Sequence, residues 1–496
     1  MAGQSGLLML GNMFTLFVGF PFQIYLAKTL GADQLGAFGL FEVSAQTAGT
    51  VFGFGLATTL VRFIPHHLAL RESGSVRKLL GSVYGLTLLG GTLAAVLLMA
   101  GSTYLLRWVP ELRAYSSLYP FVGVMTLLGM LIGLSAQALR AFLDIRYLIL
   151  IASFLQLAVK VAVTMLLFWL GWQLSGYLVA VVASVGVALL GMLWGVRRHL
   201  QQLEPGDDSA VPATGQAWWS FSRTMYANSL LGIAAPPAER LLLASAVDLA
   251  SVGVLMAIRQ LQSFPQILFQ VLVAVIGPMI VAAKARGDMD EVKHLYHIAT
   301  DWICRLGFPL LIFLLIFGGD LLALYGPTFH SVGRWPLIIL VIGSMFNLFT
   351  GPHGAMLNML GHEKNMFKLY LISSVMFFMG LLLMAPKLGL MGIALASLLP
   401  IIFLNIIELH FMKKWLGIAW WSGRYKRLIK PIIITILMAL VTNWLTPLHG
   451  AWALGGILIA VYAVFTLTYL ASGLTKEDVE ILDMIRGQLR IRGKNY

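Results

Sequence analysis

The stretch LGAFGLFEVSAQTAGTVFGFGLATTLVRFIP (Leu35–Pro65) decides the fold. From Leu35 to Val61 it carries one charged residue, Glu42. About 20 apolar residues in a helix cross a bilayer core roughly 30 Å thick. In hydrocarbon, a run of that length satisfies its own backbone only as a helix. Apolar and polar residues do not alternate along it, which argues against a barrel strand.

Similar runs recur from one end of the chain to the other. Fourteen candidate spans cover 7–28, 36–61, 79–100, 118–139, 148–170, 176–196, 224–247, 251–283, 299–324, 337–360, 367–386, 390–411, 431–447 and 452–472. The 496 residues have a mean hydropathy of +0.85, and only 11% of them are charged. A soluble chain carries about a quarter charged residues. The sequence therefore predicts an all-α polytopic membrane protein with about 14 transmembrane helices. The opening MAGQSGLLML has no basic leader and reads as part of a retained first span. Cys304 is the single cysteine, so no internal disulfide forms, and it reads as a small packing residue.

Basic residues set the orientation. With the first residue inside, and residues toward span ends counted with the adjoining segment, 26 of the 34 Lys and Arg belong to inner segments, five to outer loops, and three (Lys160, Arg240 and Arg259) to span interiors. Inner loops collect Lys and Arg, so both termini are expected in the cytoplasm, with the chain in the inner (plasma) membrane. The net charge of +13 then faces anionic inner-leaflet lipid. No nucleic-acid partner is needed to explain it.

The longest polar break, RRHLQQLEPGDDSAVPATGQAWWSFSR (Arg197–Arg223), divides six spans from eight. The expected organisation is a six-helix lobe over 1–200, a cytoplasmic linker over 201–220 and a second six-helix lobe over 221–412. Two extra spans with a basic, Trp-rich interfacial segment occupy 413–472, and an amphipathic cytoplasmic tail occupies 473–496. Leu35–Pro65 and Val252–Ala282 align under a shift of 217 residues, which places Leu35-Gly36 on Val252-Gly253 and Glu42 on Arg259. A parallel repeat of this kind is a transporter feature, with substrate bound between the halves.

The charges inside the spans carry the functional reading. In AAPPAERLLLASAV (Ala234–Val247), Glu239 and Arg240 are neighbours and so face different directions on a helix. Each needs its own partner or water. At 1.5 Å per residue, Arg240, Arg259 and Glu42 lie about 10 Å below the outer ends of their spans, and Lys160 about 15 Å below. A charge facing lipid at such depth costs about 2.5–3.5 kcal/mol. These groups therefore face one another as helix-stapling ion pairs, or face a watery cavity. Three cations against two acids leave a positive surplus, which suits an anionic ligand, and phosphate above all.

Arg62 reads either as a positive-inside anchor or as part of a basic vestibule. Pro236 and Pro237 are expected to bend span 7 and are the candidate hinge. His66 and His67 read as solvated. His353 falls inside span 10, either as a packing residue or as a proton-linked site. Asn405, Glu408 and His410 read as interfacial. Phosphate-loop, metalloprotease, CxxC and nucleophile-elbow motifs are all missing. No cofactor, metal site or catalytic residue is expected, and an enzyme is disfavoured.

The same segments carry a resemblance. YLAKTLGADQLGAFGLFEVSAQTAGTVFGFGLATTLVRFIP (Tyr25–Pro65) resembles the first two helices of O-antigen and exopolysaccharide flippases. These are polysaccharide transporters of the multidrug/oligosaccharidyl-lipid/polysaccharide (MOP) superfamily. The matching positions are Leu30-Gly31, Leu35-Gly36, Gly55-Leu56 and Arg62-Phe63. Glu239-Arg240 resembles the family's acid–Arg pair. Val252-Gly253 is similar to its turn into helix 8, although Leu255 stands where the family has Tyr.

The resemblance implies two pseudo-symmetric six-helix bundles around a central cavity, plus two C-terminal helices. It implies alternating-access transfer of a polyprenyl-pyrophosphate-linked oligosaccharide to the outer leaflet, for cell-surface polysaccharide biosynthesis. On this reading the cavity cations Arg240, Arg259, Lys160 and Arg62 meet the substrate, and Glu42 and Glu239 hold or switch them. Membrane lipids, a coupling ion (H+ or Na+) and polysaccharide polymerase or assembly proteins are the further implied partners. The competing readings are an ion-coupled multidrug exporter of the same superfamily and a non-transporting scaffold of a polysaccharide assembly complex.

Overall fold

A computed structural model describes residues 2–203, 215–445 and 450–473. The core of the expected linker and nearly all of the expected tail lie outside the described residues. Among the described residues there is no strand. In chain order the helices are α1 (Ala2–Val51), α2 (Leu56–Ala69), α3 (Ser73–Trp108), α4 (Tyr119–Ala141), α5 (Gln156–Trp169), α6 (Leu174–Gln201), α7 (Gly215–Ile233) and α8 (Ala235–Ala246). They continue as α9 (Leu249–Ala285), α10 (Met289–Ala323), α11 (Pro327–Thr350), α12 (Glu363–Leu388), α13 (Leu390–Leu416), α14 (Lys426–Leu445) and α15 (Ala451–Ala471).

Twelve described helical segments are long and apolar enough to cross a membrane. Two features account for the difference from the fourteen runs in the sequence. Helix α1 holds the first run and most of the second, with Gly31 leaving helical geometry (φ 74°, ψ 174°) between them, and the second run finishes in α2. The seventh run is divided between α7 and α8, which separate at Ala234 just before Pro236 and Pro237. Both prolines lie in the first turn of α8, where a missing N–H costs no hydrogen bond.

The chain forms two compact units. One comprises residues 1–256 and 385–389, the other 257–384 and 390–496. Lipid tails are as apolar as Leu, so packing between membrane helices depends on close approach at small residues. In the second unit, Leu348 of α11 lies against Gly307 of α10, and Leu337 against Gly318. A Cβ at Gly307 would sit 2.0 Å from the Leu348 side chain. Helix α10 is the enclosed element of this unit, with most of the residues along its apolar stretch buried.

In the first unit, the starts of two helices touch backbone to backbone. A Cβ on Gly36 would lie 1.8 Å from the Leu249 carbonyl oxygen, and one on Gly253 2.1 Å from that of Ala32. Only glycine fits at either position.

Three sequence expectations change. The tenth span ends at Thr350, where Gly351 takes φ 77°, so His353 opens the next helical segment and does not lie within the span. Asn405 and Glu408 are buried, at 2% and 5% exposure, and are not interfacial. Glu408 Oε2 lies 3.1 Å from His353 Nε2, which explains how a carboxylate sits there. His67 is buried within α2, with its Nδ1 2.6 Å from Glu72 Oε2, so it is not solvated.

Candidate substrate cavity

The first unit encloses a cavity of about 700 Å3. Its wall is built from interrupted helices. Helix α1 ends at Val51 and α2 restarts at Leu56, with Phe54 (φ 47°) and Gly55 (φ 69°) left-handed between them. The backbone groups freed by this break find partners on α7. The Ser222 hydroxyl donates to the Phe54 carbonyl (2.6 Å), and the Tyr226 hydroxyl donates to that of Val51 (2.8 Å). A second irregularity, the π-helical turn Ile149–Leu155, leads into α5 just before Gln156. Such turns re-aim the side chains that follow and are frequent at functional sites.

Glu42 and Lys160 both line this cavity. Arg240 of α8 reaches Glu42 from outside the lining. Its Nη1 donates to Glu42 Oε2 at 3.1 Å and to the Gly39 carbonyl at 2.8 Å. Glu42 and Arg240 are thus a charge-assisted pair with no net charge. Lys160 Nζ lies 5.9 Å from the centre of the Phe22 ring, a cation–π distance. Because Arg240 neutralises Glu42, Lys160 leaves the cavity one positive charge in surplus. Phe38 and Met256 are part of the apolar lining; Met256 fills the space beside Gly39.

The other residues singled out from the sequence lie elsewhere. Arg62 is exposed, with its guanidinium over the Phe221 ring at 4.5 Å. Glu239 is buried. Pro237 borders a second, smaller cavity with Leu241 and Tyr119. Arg259 belongs to the second unit, where it donates to Gln262 Oε1 (2.9 Å) and Ser397 Oγ (3.0 Å). Glu42, Lys160 and Arg240 come together, whereas Arg62 and Arg259 do not join them in this unit.

Sequence reasoning followed charge alone and missed the uncharged polar lining: Gln23, Gln46, Gln156, Thr126 and Ser184. A readable signal was present. Gln46 follows Glu42 by four residues and Gln156 precedes Lys160 by four, so each charged residue has an amide one turn away on the same helix face. The second unit holds another polar cluster that was read only in fragments. Asn405 of α13 accepts from Thr350 and donates to Asn347 Oδ1 at 3.3 Å, one turn from the Glu408–His353 pair.

Broken helices around a partly polar cavity form the fold seen in transporters of the MOP superfamily. Solved structures of that superfamily share the fold. The lipid II flippase MurJ, in an inward closed conformation, superposes with a TM-score of 0.69 at 12% identity, covering 96% of this chain and all of its own. An inward-facing multidrug resistance MATE family transporter gives 0.62 at 14% identity, covering 82% of this chain and 94% of its own. A MOP superfamily transporter from Pyrococcus furiosus, with a binding pocket described as of reverse polarity, gives 0.54 at 14% identity over 83% and 94% of the two chains. No curated protein matches the chain in sequence. Residues 3–284 match the family described as "Polysaccharide biosynthesis protein", and the chain belongs to that family.

Proposed function

We propose that this protein is a flippase that carries a polyprenyl-pyrophosphate-linked oligosaccharide from the cytoplasmic to the outer leaflet by alternating access, for cell-surface polysaccharide biosynthesis. The observation that carries the proposal is a part-apolar cavity among spanning helices that also holds Glu42, Lys160 and three glutamines. A neutral Glu42–Arg240 pair leaves Lys160 as its surplus cation. A pyrophosphate head group is the anion such a site favours, while the polyprenyl tail stays in lipid. The distribution of Lys and Arg supports cytoplasmic termini and residence in the inner (plasma) membrane.

Lys160 meets the head group, and Arg240 acts through Glu42. Arg62, exposed at its helix surface, gathers the lipid anion before it enters. Arg259 and Glu239 contribute from their own helices, and the α7–α8 break at Pro236 and Pro237 is the hinge. A coupling ion (H+ or Na+) drives the cycle. The chain is a carrier and not an enzyme, and it works beside polysaccharide polymerase or assembly proteins.

The test is a leaflet assay on the purified protein in vesicles, using a labelled polyprenyl-pyrophosphate oligosaccharide. Wild type should move the label across the bilayer, and Lys160→Met should slow the movement at least tenfold. Vesicles with and without the protein that exchange label equally fast would sink the proposal.

A further inference from the structure

We infer that the cavity of the first unit is a carbohydrate subsite in which the amides of Gln23, Gln46 and Gln156 read the hydroxyls of uncharged sugar residues. The inference rests on the flippase reading above and deepens it.

Three observations carry it. First, all three glutamines line the one cavity, and among the described residues none of their side-chain amides has a protein hydrogen-bond partner. A primary amide offers two donors and an acceptor. Groups left open inside membrane-spanning helices are costly unless water or a ligand satisfies them. The amides come from three different places in the fold: the two halves of α1 on either side of Gly31, and the start of α5. They therefore converge on the ligand space from separate walls.

Second, three hydroxyls of the lining are already committed as donors. Thr50 donates to Gln46 O, Thr126 to Val122 O and Ser184 to Val181 O. With their protons used in this way, these three oxygens keep only acceptor capacity for a ligand. With the amides, this makes a lining that both gives and accepts hydrogen bonds, as a sugar hydroxyl does.

Third, one stretch of wall is bare. Gly129 and Gly133 lie one turn apart on α4, are exposed to the cavity, and have nothing within 4 Å of where a Cβ would stand. A helix face without side chains gives a flat apolar strip against which the C–H face of a sugar ring can lie. The volume of about 700 Å3 is within the roughly 300–1,000 Å3 of small-molecule sites. It accommodates a few sugar rings and no long polymer.

The lining also assigns the two ends of the ligand. Lys160 and Gln156 are one turn apart on α5. The pyrophosphate lies by Lys160, and the first sugar starts at Gln156.

The experiment measures binding to purified full-length protein in nanodiscs with two probes: bare polyprenyl pyrophosphate, and the same lipid carrying a short neutral oligosaccharide. Wild type should bind the glycosylated probe more tightly. Gln23→Leu, Gln46→Leu and Gln156→Leu should each weaken the glycosylated probe roughly 3- to 10-fold, about one hydrogen bond each. They should leave the bare probe within twofold. Gly133→Leu keeps every amide but fills the strip, and should likewise weaken only the glycosylated probe. Thermal melting verifies that each variant is folded.

Equal weakening of both probes, or no weakening of the glycosylated one in folded variants, overturns the subsite while leaving the flippase reading intact. Wild type that binds neither probe and moves neither across vesicles overturns the flippase reading itself.

Discussion

Arg240→Met tests whether Arg240 acts on the substrate or on Glu42. The substitution keeps apolar bulk and removes a guanidinium that lies 3.1 Å from Glu42 Oε2 and 2.8 Å from the Gly39 carbonyl. At an effective dielectric constant near 20, unit charges at that separation attract by about 5 kcal/mol before desolvation is subtracted. The two side chains are 19% and 32% exposed, so the net value is lower. A charge-assisted hydrogen bond in this setting is worth about 1.5–3 kcal/mol. Once Arg240 is gone, the carboxylate turns to Lys160 across the cavity and competes with the lipid anion for it.

Affinity for bare polyprenyl pyrophosphate should then fall roughly 10- to 150-fold, the equivalent of 1.5–3 kcal/mol. Adding Glu42→Gln removes the competitor and restores the surplus cation, so the double variant should return to within about threefold of wild type. Lys160→Met should lose the affinity whether or not Glu42 is altered. The assay is equilibrium binding in nanodiscs at fixed salt. A double variant as weak as Arg240→Met alone would show that the guanidinium itself touches the anion, and would refute the bridge argument.

Three further outcomes are expected. Gly36→Ala or Gly253→Ala forces a methyl to within about 2 Å of a backbone carbonyl and should lower the melting temperature or abolish folding, whereas Gly129→Ala, facing open space, should not; thermal scans in detergent decide this. His353→Leu should destabilise by about 3–5 kcal/mol because it leaves Glu408 buried without its partner, and His353→Leu/Glu408→Leu together should cost less than His353→Leu alone; the same scans measure it. Asp144, in the turn after α4, accepts from Arg146 Nε and Nη2 (both 3.0 Å), which holds its carboxyl below the usual range. A lowered folded-state value gives stability that is present above the unfolded value and lost as pH falls through the folded one. Melting temperature should therefore drop below about pH 4, and Asp144→Asn should flatten that drop.

Much of the fold was legible because the bilayer leaves few options. Apolar length alone located nearly every helix. What length could not show was where a helix breaks inside an apolar run. The interruption at Phe54-Gly55 falls inside the second run, among residues as apolar as the rest, whereas the breaks at Gly31 and Ala234 lie in a gap between runs and beside two prolines, where the sequence marks them. The site was half legible for a related reason. Glu42, Arg240 and Lys160 stood out because charge in a membrane is costly. The glutamines of the lining cost less to bury and so attracted less notice. The His353–Glu408 pair joins positions 55 residues apart, and no local pattern links them.

The 217-residue shift shows what a repeat conserves when identity is thin. It maps Gly36 onto Gly253 and Ala32 onto Leu249. In the structure the two contacts exchange under the same shift: Gly36 meets the Leu249 carbonyl, and Gly253 meets that of Ala32. The relation needs only the absence of a side chain at one position and a carbonyl one turn earlier. Few residues are constrained, so sequence comparison finds little. One turn or so further along, the shift maps Glu42 onto Arg259, and there the copies diverge in charge. Glu42 is neutralised by Arg240 beside Lys160's cavity, whereas Arg259 bonds Ser397 and Gln262 in the other unit. Backbone approach is kept at the helix starts, where a side chain would clash. Polarity differs deeper in the membrane, where no such backbone contact constrains the side chain.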